Sequence, residues 1–223
     1  MRFEKIEMQT WPRAATYQHY MRDVPCTYSM CVSWDITAIK AQTDALGLKL
    51  FPVLLYGLST VVNQHKEFRM GLDHEKQPGY YDIVHPSYTV FHPQSESFTV
   101  TWSVFDSNFA GFYQRYLQDA QRALQHQEGF ESAAQPVSQL PITPPNLFDV
   151  SCIPWASFTS FHLNIKPGYE HLLPIFTLGQ FTQQAGNIQL PLAIQVHHAA
   201  CDGFHVARFV KELQTWTEDF SVE

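Results

Sequence analysis

Two hydrophobic periods share this chain without a repeated strand–helix–strand order, and that irregular mixture constrains the architecture more than any other feature. Helical spacing marks Pro52 to Gln64 (Val53, Leu54, Leu58, Val61, Val62) and Asp106 to Gln127 (Phe109, Phe112, Tyr116, Leu117, Ala120, Leu124). A last helix begins near Phe204 and lines up Val206, Phe209, Val210, Leu213 and Trp216. Strand patterns, rich in β-branched and aromatic residues, predict Cys26 to Trp34, Tyr80 to Phe91, Ser97 to Phe105, Ser157 to Ile165, Leu173 to Thr182 and Gln189 to His198. A doubly wound parallel sheet needs strict alternation, so the pattern predicts an α+β sandwich.

Local signals place the boundaries. Thr10 is a candidate cap for a first helix that stops before Pro25, because a residue preceding proline avoids the α region. Asp35 or Thr37 opens a short helix that Gly47 ends, and Pro52 suits the first position of the next. Pro93-Gln94-Ser95 reads as a hairpin turn. Glu128 to Pro145, with Pro136, Pro141, Pro144 and Pro145, reads as loop.

A length of 223 residues suits one domain, 1–223, that buries its own core without disulfide or metal. Fourteen Lys and Arg against 21 Asp and Glu give a net charge of -7, which argues against a nucleic-acid partner. The opening residues lack the apolar core of a secretory signal, and no apolar run approaches the ~20 residues of a membrane span. The four scattered cysteines then read as free thiols in a cytoplasmic protein.

Gln195-Val-His-His-Ala-Ala-Cys-Asp-Gly-Phe-His205 carries the chemistry. An apolar strand runs into His197-His198, and an Asp202-Gly203 turn opens a helix. Adjacent strand residues face opposite sides, so only one histidine enters a given pocket. Three readings compete: a satisfied core histidine, a metal ligand with Asp202 and His205, and a general base. The metal reading is weak, because the two histidines diverge and no zinc-type ligand set accompanies them. Neutral imidazole, with a pKa near ~6.5, can take a proton from a bound alcohol.

His197-His198-Ala-Ala-Cys-Asp202-Gly203 resembles the HHxxxDG signature of the chloramphenicol acetyltransferases. Gln195-Val196 and Phe204-His205-Val206-Ala207-Arg208 resemble its flanks. The shorter HxxxDG core also occurs in dihydrolipoamide acyltransferases, condensation domains and plant acyltransferases. Trp11-Pro-Arg13, Cys26-Thr-Tyr28, Asp35-Ile-Thr37, Glu67-Phe-Arg-Met70, His85-Pro-Ser-Tyr-Thr-Val-Phe-His92, Ser151-Cys-Ile-Pro-Trp155, Phe158-Thr-Ser-Phe161 and Ile175-Phe-Thr177 extend the likeness to nearly the whole chain. The resemblance implies a two-layer α/β sandwich, a mixed β-sheet flanked by helices, of the CoA-dependent acyltransferase fold. It also implies a homotrimer, with active sites at subunit interfaces, that transfers acetyl from acetyl-CoA to the primary hydroxyl of chloramphenicol.

The resemblance assigns roles as well. His198 is the base, its Nδ1–H held by its own backbone carbonyl. Ser151 donates to the oxyanion, Thr177 holds a water beside it, and Asp202 pairs with Arg13. Tyr20, Cys26, Tyr28, Phe161 and Leu163 match positions lining the acceptor pocket. Lys49 and Phe181 match the CoA side, and no metal is implied. Gln180-Phe181 stands where family members commonly carry Lys-Tyr, which predicts weaker CoA affinity, and residues 128–145 depart from the family. Two other readings remain open: a same-fold acetyltransferase for another hydroxylated compound, and a non-catalytic trimeric protein that sequesters an aromatic ligand.

Overall fold

A computed structural model describes residues 1–125, 144–165, 168 and 170–222. The chain runs through β1 (Phe3–Lys5) into α1 (Ala14–Gln18), which continues as a π-helical turn at His19–Asp23. Next come β2 (Thr27–Asp35), α2 (Thr37–Leu46), α3 (Leu50–Gln64) and a 3-10 turn at Lys66–Arg69. β3 (Met70–Leu72), β4 (Pro78–Tyr81), β5 (His85–His92), β6 (Ser97–Trp102) and α4 (Phe109–Gln125) follow. The last third holds β7 (Leu147–Cys152), β8 (Ile175–Leu178), β9 (Thr182–Gln184), β10 (Asn187–His197) and α5 (Gly203–Asp219).

The main sheet has the order β2-β10-β8-β7-β5-β6, with β9 added to β10, and β1-β4-β3 forms a separate small sheet. The β5–β7 and β7–β8 pairs are parallel and every other pair is antiparallel, so the sheet is mixed. Alternation splits its residues between two faces. Leu190, Leu192, Ile194 and Val196 of β10 join Phe148, Val150, Phe176 and Tyr88 in the core under the helices. Phe176 stacks on Phe209 of α5 at 5.3 Å between ring centres, and Tyr88 meets Tyr116 of α4 at 5.0 Å. The architecture is thus α+β, with helices layered on a mixed sheet. Among the described residues no helix is long and apolar enough to cross a membrane.

The structure corrects several element boundaries. α1 begins at Ala14, not at Thr10, whose hydroxyl instead turns back to Glu7 O at 3.4 Å. α3 starts two residues before Pro52; the ring still lies in the first turn, where a missing N–H costs nothing. Tyr80 to Phe91 divides, because Pro78–Tyr81 pairs in the small sheet and His85–His92 in the main one. Leu173 to Thr182 is also two strands. Ser157 to Ile165 is not a strand: side chains satisfy part of its backbone. Cys31 Sγ accepts from Phe161 N–H at 3.1 Å, and the Gln195 amide accepts from Leu163 N–H at 2.8 Å while donating to Leu163 O at 3.2 Å. β7 takes the place of that strand in the sheet. Of the predicted loop at 128–145, only residues 144 and 145 lie within the described residues.

Candidate active site

The end of β10 positions His198. His197 closes the pairing with Thr27, and the next amide, His198 N–H, donates to Cys26 O at 3.0 Å. The two histidines then separate in environment as well as direction. His197 is buried, its Nδ1 accepts from Ala199 N–H at 3.1 Å, and burial holds its pKa below the ordinary histidine value. His198 lies flat against Tyr20, 3.8 Å between ring centres and 6° from parallel, and Tyr28 meets it edge-on at 5.2 Å. Its Nδ1 is buried, so the 29% of its side chain that remains exposed belongs to the other atoms.

Nδ1 makes no hydrogen bond, to the backbone carbonyl of His198 or to any other described acceptor. This departs from the family expectation. Asp202 Oδ1 lies 3.4 Å away, and a carboxylate there favours a proton on Nδ1, which leaves the lone pair on Nε2. Asp202 itself is gripped by Arg13: Nη1 contacts Oδ2 and Nη2 donates to Oδ1 at 3.2 Å. The Arg13 guanidinium holds the Asp202 carboxyl below the usual carboxylate range. Asp202 precedes the first residue of α5, where its backbone N–H donates to His205 Nδ1 at 2.9 Å. His205 Nε2 faces Glu67 at 3.6 Å, and Arg208 donates to the same carboxylate at 3.1 Å. Arg13, Asp202, His205, Glu67 and Arg208 form a continuous charged cluster beside His198. In the sequence His205 reads as a metal-ligand candidate and as part of the segment that resembles the family's flank. Its spacing three residues after the N-cap is the signal for its actual contact. Among the described residues no group of three or more His, Cys, Asp or Glu is placed to hold a metal ion.

Ser151 and Thr177 sit elsewhere. They are register partners on β7 and β8, and Thr177 is in turn the partner of Ala193 on β10, which pairs with Cys31 of β2. All four point to the sheet face away from the helices, so Ser151 and Thr177 stand one strand spacing apart, about 4.8 Å. Burial pushes the neighbouring Cys152 thiol up to about 11, which keeps it protonated and unreactive. His198 lies five residues beyond Ala193 and two strands across from Ser151. With a rise of ~3.3 Å per residue, His198 and Ser151 of one chain are about 19 Å apart. They cannot serve one reacting atom within a single chain.

On the same open face, a cleft of about 540 Å³ is lined by Tyr28, Ser29, Cys31, Phe161, Leu163 and Gln195, among others. Three of the five expected acceptor-pocket residues are in it: Tyr28, Phe161 and Leu163. Tyr20 instead stacks on the base, and Cys26 supplies the carbonyl that fixes the turn. Lys49 precedes α3 as an exposed residue whose backbone N–H donates to Tyr113 OH at 2.9 Å. Phe181, 41% exposed, follows β8. No contact joins those two residues.

Comparison with known proteins bears on this geometry. The family model described as chloramphenicol acetyltransferase matches residues 1–214. A chloramphenicol acetyltransferase of Campylobacter coli is 45% identical over 214 residues, covering 96% of this chain and 98% of the relative. One from Vibrio anguillarum is 45% identical over 215 residues, covering 96% and 94%. Among solved structures, a chloramphenicol acetyltransferase superposes with a TM-score of 0.86 at 19% identity, over 97% of this chain and 100% of that one. The cubic core of the pyruvate dehydrogenase multienzyme complex gives 0.63 at 19% identity, over 92% and 86%. With a match along nearly its whole length and HHxxxDG at the end of β10, the chain belongs to the chloramphenicol acetyltransferase family.

Proposed function

We propose that residues 1–223 form one cytoplasmic acetyltransferase domain that moves acetyl from acetyl-CoA to the primary hydroxyl of chloramphenicol, a reaction that disarms the antibiotic. The observation that carries this reading is the presentation of His198 at the end of β10, held against Tyr20 and Tyr28 with part of its side chain open. In the proposed step Nε2 takes the hydroxyl proton as the oxygen attacks the thioester carbonyl. Ser151 Oγ donates to the oxyanion, and Thr177 beside it holds a water on the same charge. Collapse of the tetrahedral intermediate expels the CoA thiolate, which recovers the proton from the imidazolium. Base and acyl donor meet in one ternary complex, so no acyl-enzyme is needed.

The separation of His198 from Ser151 supports a site assembled by two copies, one giving the base and the other the open sheet face. In the homotrimer proposed here each interface carries one such site. Tyr20, Cys26, Tyr28, Phe161 and Leu163 serve the acceptor, and Lys49 and Phe181 serve CoA. The acceptor and the thioester supply all the chemistry, so no metal is required. Thiol release from acetyl-CoA, followed with and without chloramphenicol, tests the reading. Drug-dependent release that falls by at least about 10²-fold in His198→Ala supports it. A wild-type protein that binds CoA yet releases no thiol with the drug overturns it.

A further inference from the structure

Besides Ser151 and Thr177, the open face of the sheet carries a polar pair that the proposed mechanism does not use. Asp149 lies two residues before Ser151 on β7 and points to the same side, about 7 Å along the strand. Ser87, its register partner on β5, is buried and sits beside it on the same face of the sheet. Ile175 flanks it on β8, and His171, in the segment leading into β8, brings Nε2 to 3.6 Å from Asp149 Oδ2. The carboxyl is thus oriented from two sides, yet 44% of its side-chain surface stays open. Desolvation raises the Asp149 carboxyl and lowers the His171 imidazole, which draws the pair toward its uncharged forms.

An oriented carboxyl open along one side, beside the oxyanion donor, is placed to meet the molecule being acetylated. We propose that Asp149, held by Ser87 and His171, is a specificity-determining residue that accepts a hydrogen bond from a second hydroxyl or an amide N–H of the acceptor. The inference rests on the acetyltransferase reading and adds to it a substrate class: alcohols that carry a further neutral donor a few bonds from the reacting oxygen. Acceptors that place only hydrocarbon there strand the carboxyl without a partner and are disfavoured.

The test compares chloramphenicol with two analogues, one with hydrogen in place of the secondary hydroxyl and one methylated at the amide nitrogen. Acceptor kcat/KM is measured for wild type, Asp149→Asn and Asp149→Leu, with KM for acetyl-CoA alongside. Wild type is expected to favour chloramphenicol over at least one analogue by about tenfold to a hundredfold. Asp149→Leu is expected to bring that ratio within about twofold, and the isosteric Asp149→Asn to lower it less, with KM for acetyl-CoA unchanged. A ratio unchanged in either folded variant, or no discrimination by wild type, overturns the inference and leaves the acetyltransferase reading standing. Absence of transfer to all three acceptors in wild type overturns that reading and the inference together.

Discussion

Asp202 ties together parts of the chain that lie far apart in sequence. It binds Arg13 across 189 residues of sequence, precedes the first turn of α5 and faces Nδ1 of His198. With side-chain exposures of 24% and 35%, the Arg13–Asp202 pair lies between an exposed pair, worth ~0–1 kcal/mol, and a buried one whose breaking costs ~3–5 kcal/mol. Asp202→Asn should therefore cost about 2 kcal/mol, read as a lower urea midpoint at neutral pH. The folded-state pKa of Asp202 is depressed, so its contribution is present above the unfolded value near ~3.9 and lost as pH falls through the lower folded value. Wild type and variant should converge in stability below about pH 4; a constant gap at acid pH would contradict the pairing. Sequence alone offered no route from Arg13 to Asp202, because ion pairing carries no periodicity. Only the family likeness joined them. Glu67 and Arg208 were present in quoted motifs, but their role as supports of the helix start emerges only from contacts.

Among the elements, periodicity exposed those whose partners are other elements and failed where side chains replaced backbone partners. α2 and its left-handed Gly47 cap, the β5–β6 hairpin and α5 were all legible. Ser157 to Ile165 has strand-like composition, yet Cys31 and Gln195 side chains bind its backbone. β7 escaped notice because Asp149 and Ser151 break its apolar pattern on the face away from the helices. Two predictions belong here. Gln195→Leu strands Leu163 N–H and should cost about 1–3 kcal/mol while raising the KM for chloramphenicol. An unchanged KM would show that the loop does not bear on the acceptor. In α3, a Cβ on Gly57 would lie 2.2 Å from Trp216 of α5, so Gly57→Ala should lower stability by about 1–3 kcal/mol through overpacking, in spite of alanine's better helix propensity. Equal or higher thermal stability would mean that the indole moves aside freely.

At the scale of the molecule, the sheet that organises the core also divides the chemistry. One face is sealed by helices, and the other presents Ser151, Thr177 and the acceptor cleft. His198 stands at the end of β10, too far from Ser151 and Thr177 to share a reacting atom with them. A mixed α+β architecture was readable from the chain, but this division was not, since it depends on strand order and on two parallel pairings that local patterns do not encode. If His198 of one copy works with Ser151 of another, two inactive variants must complement each other when mixed. His198→Ala and Ser151→Ala chains, distinguished by tags and co-expressed so that they assemble at random, are purified together and assayed for chloramphenicol-dependent thiol release. Random trimers should recover about a quarter of wild-type activity, because each mixed trimer regains one intact interface of its three. Activity no higher than that of the two variants assayed apart would contradict a site shared between copies.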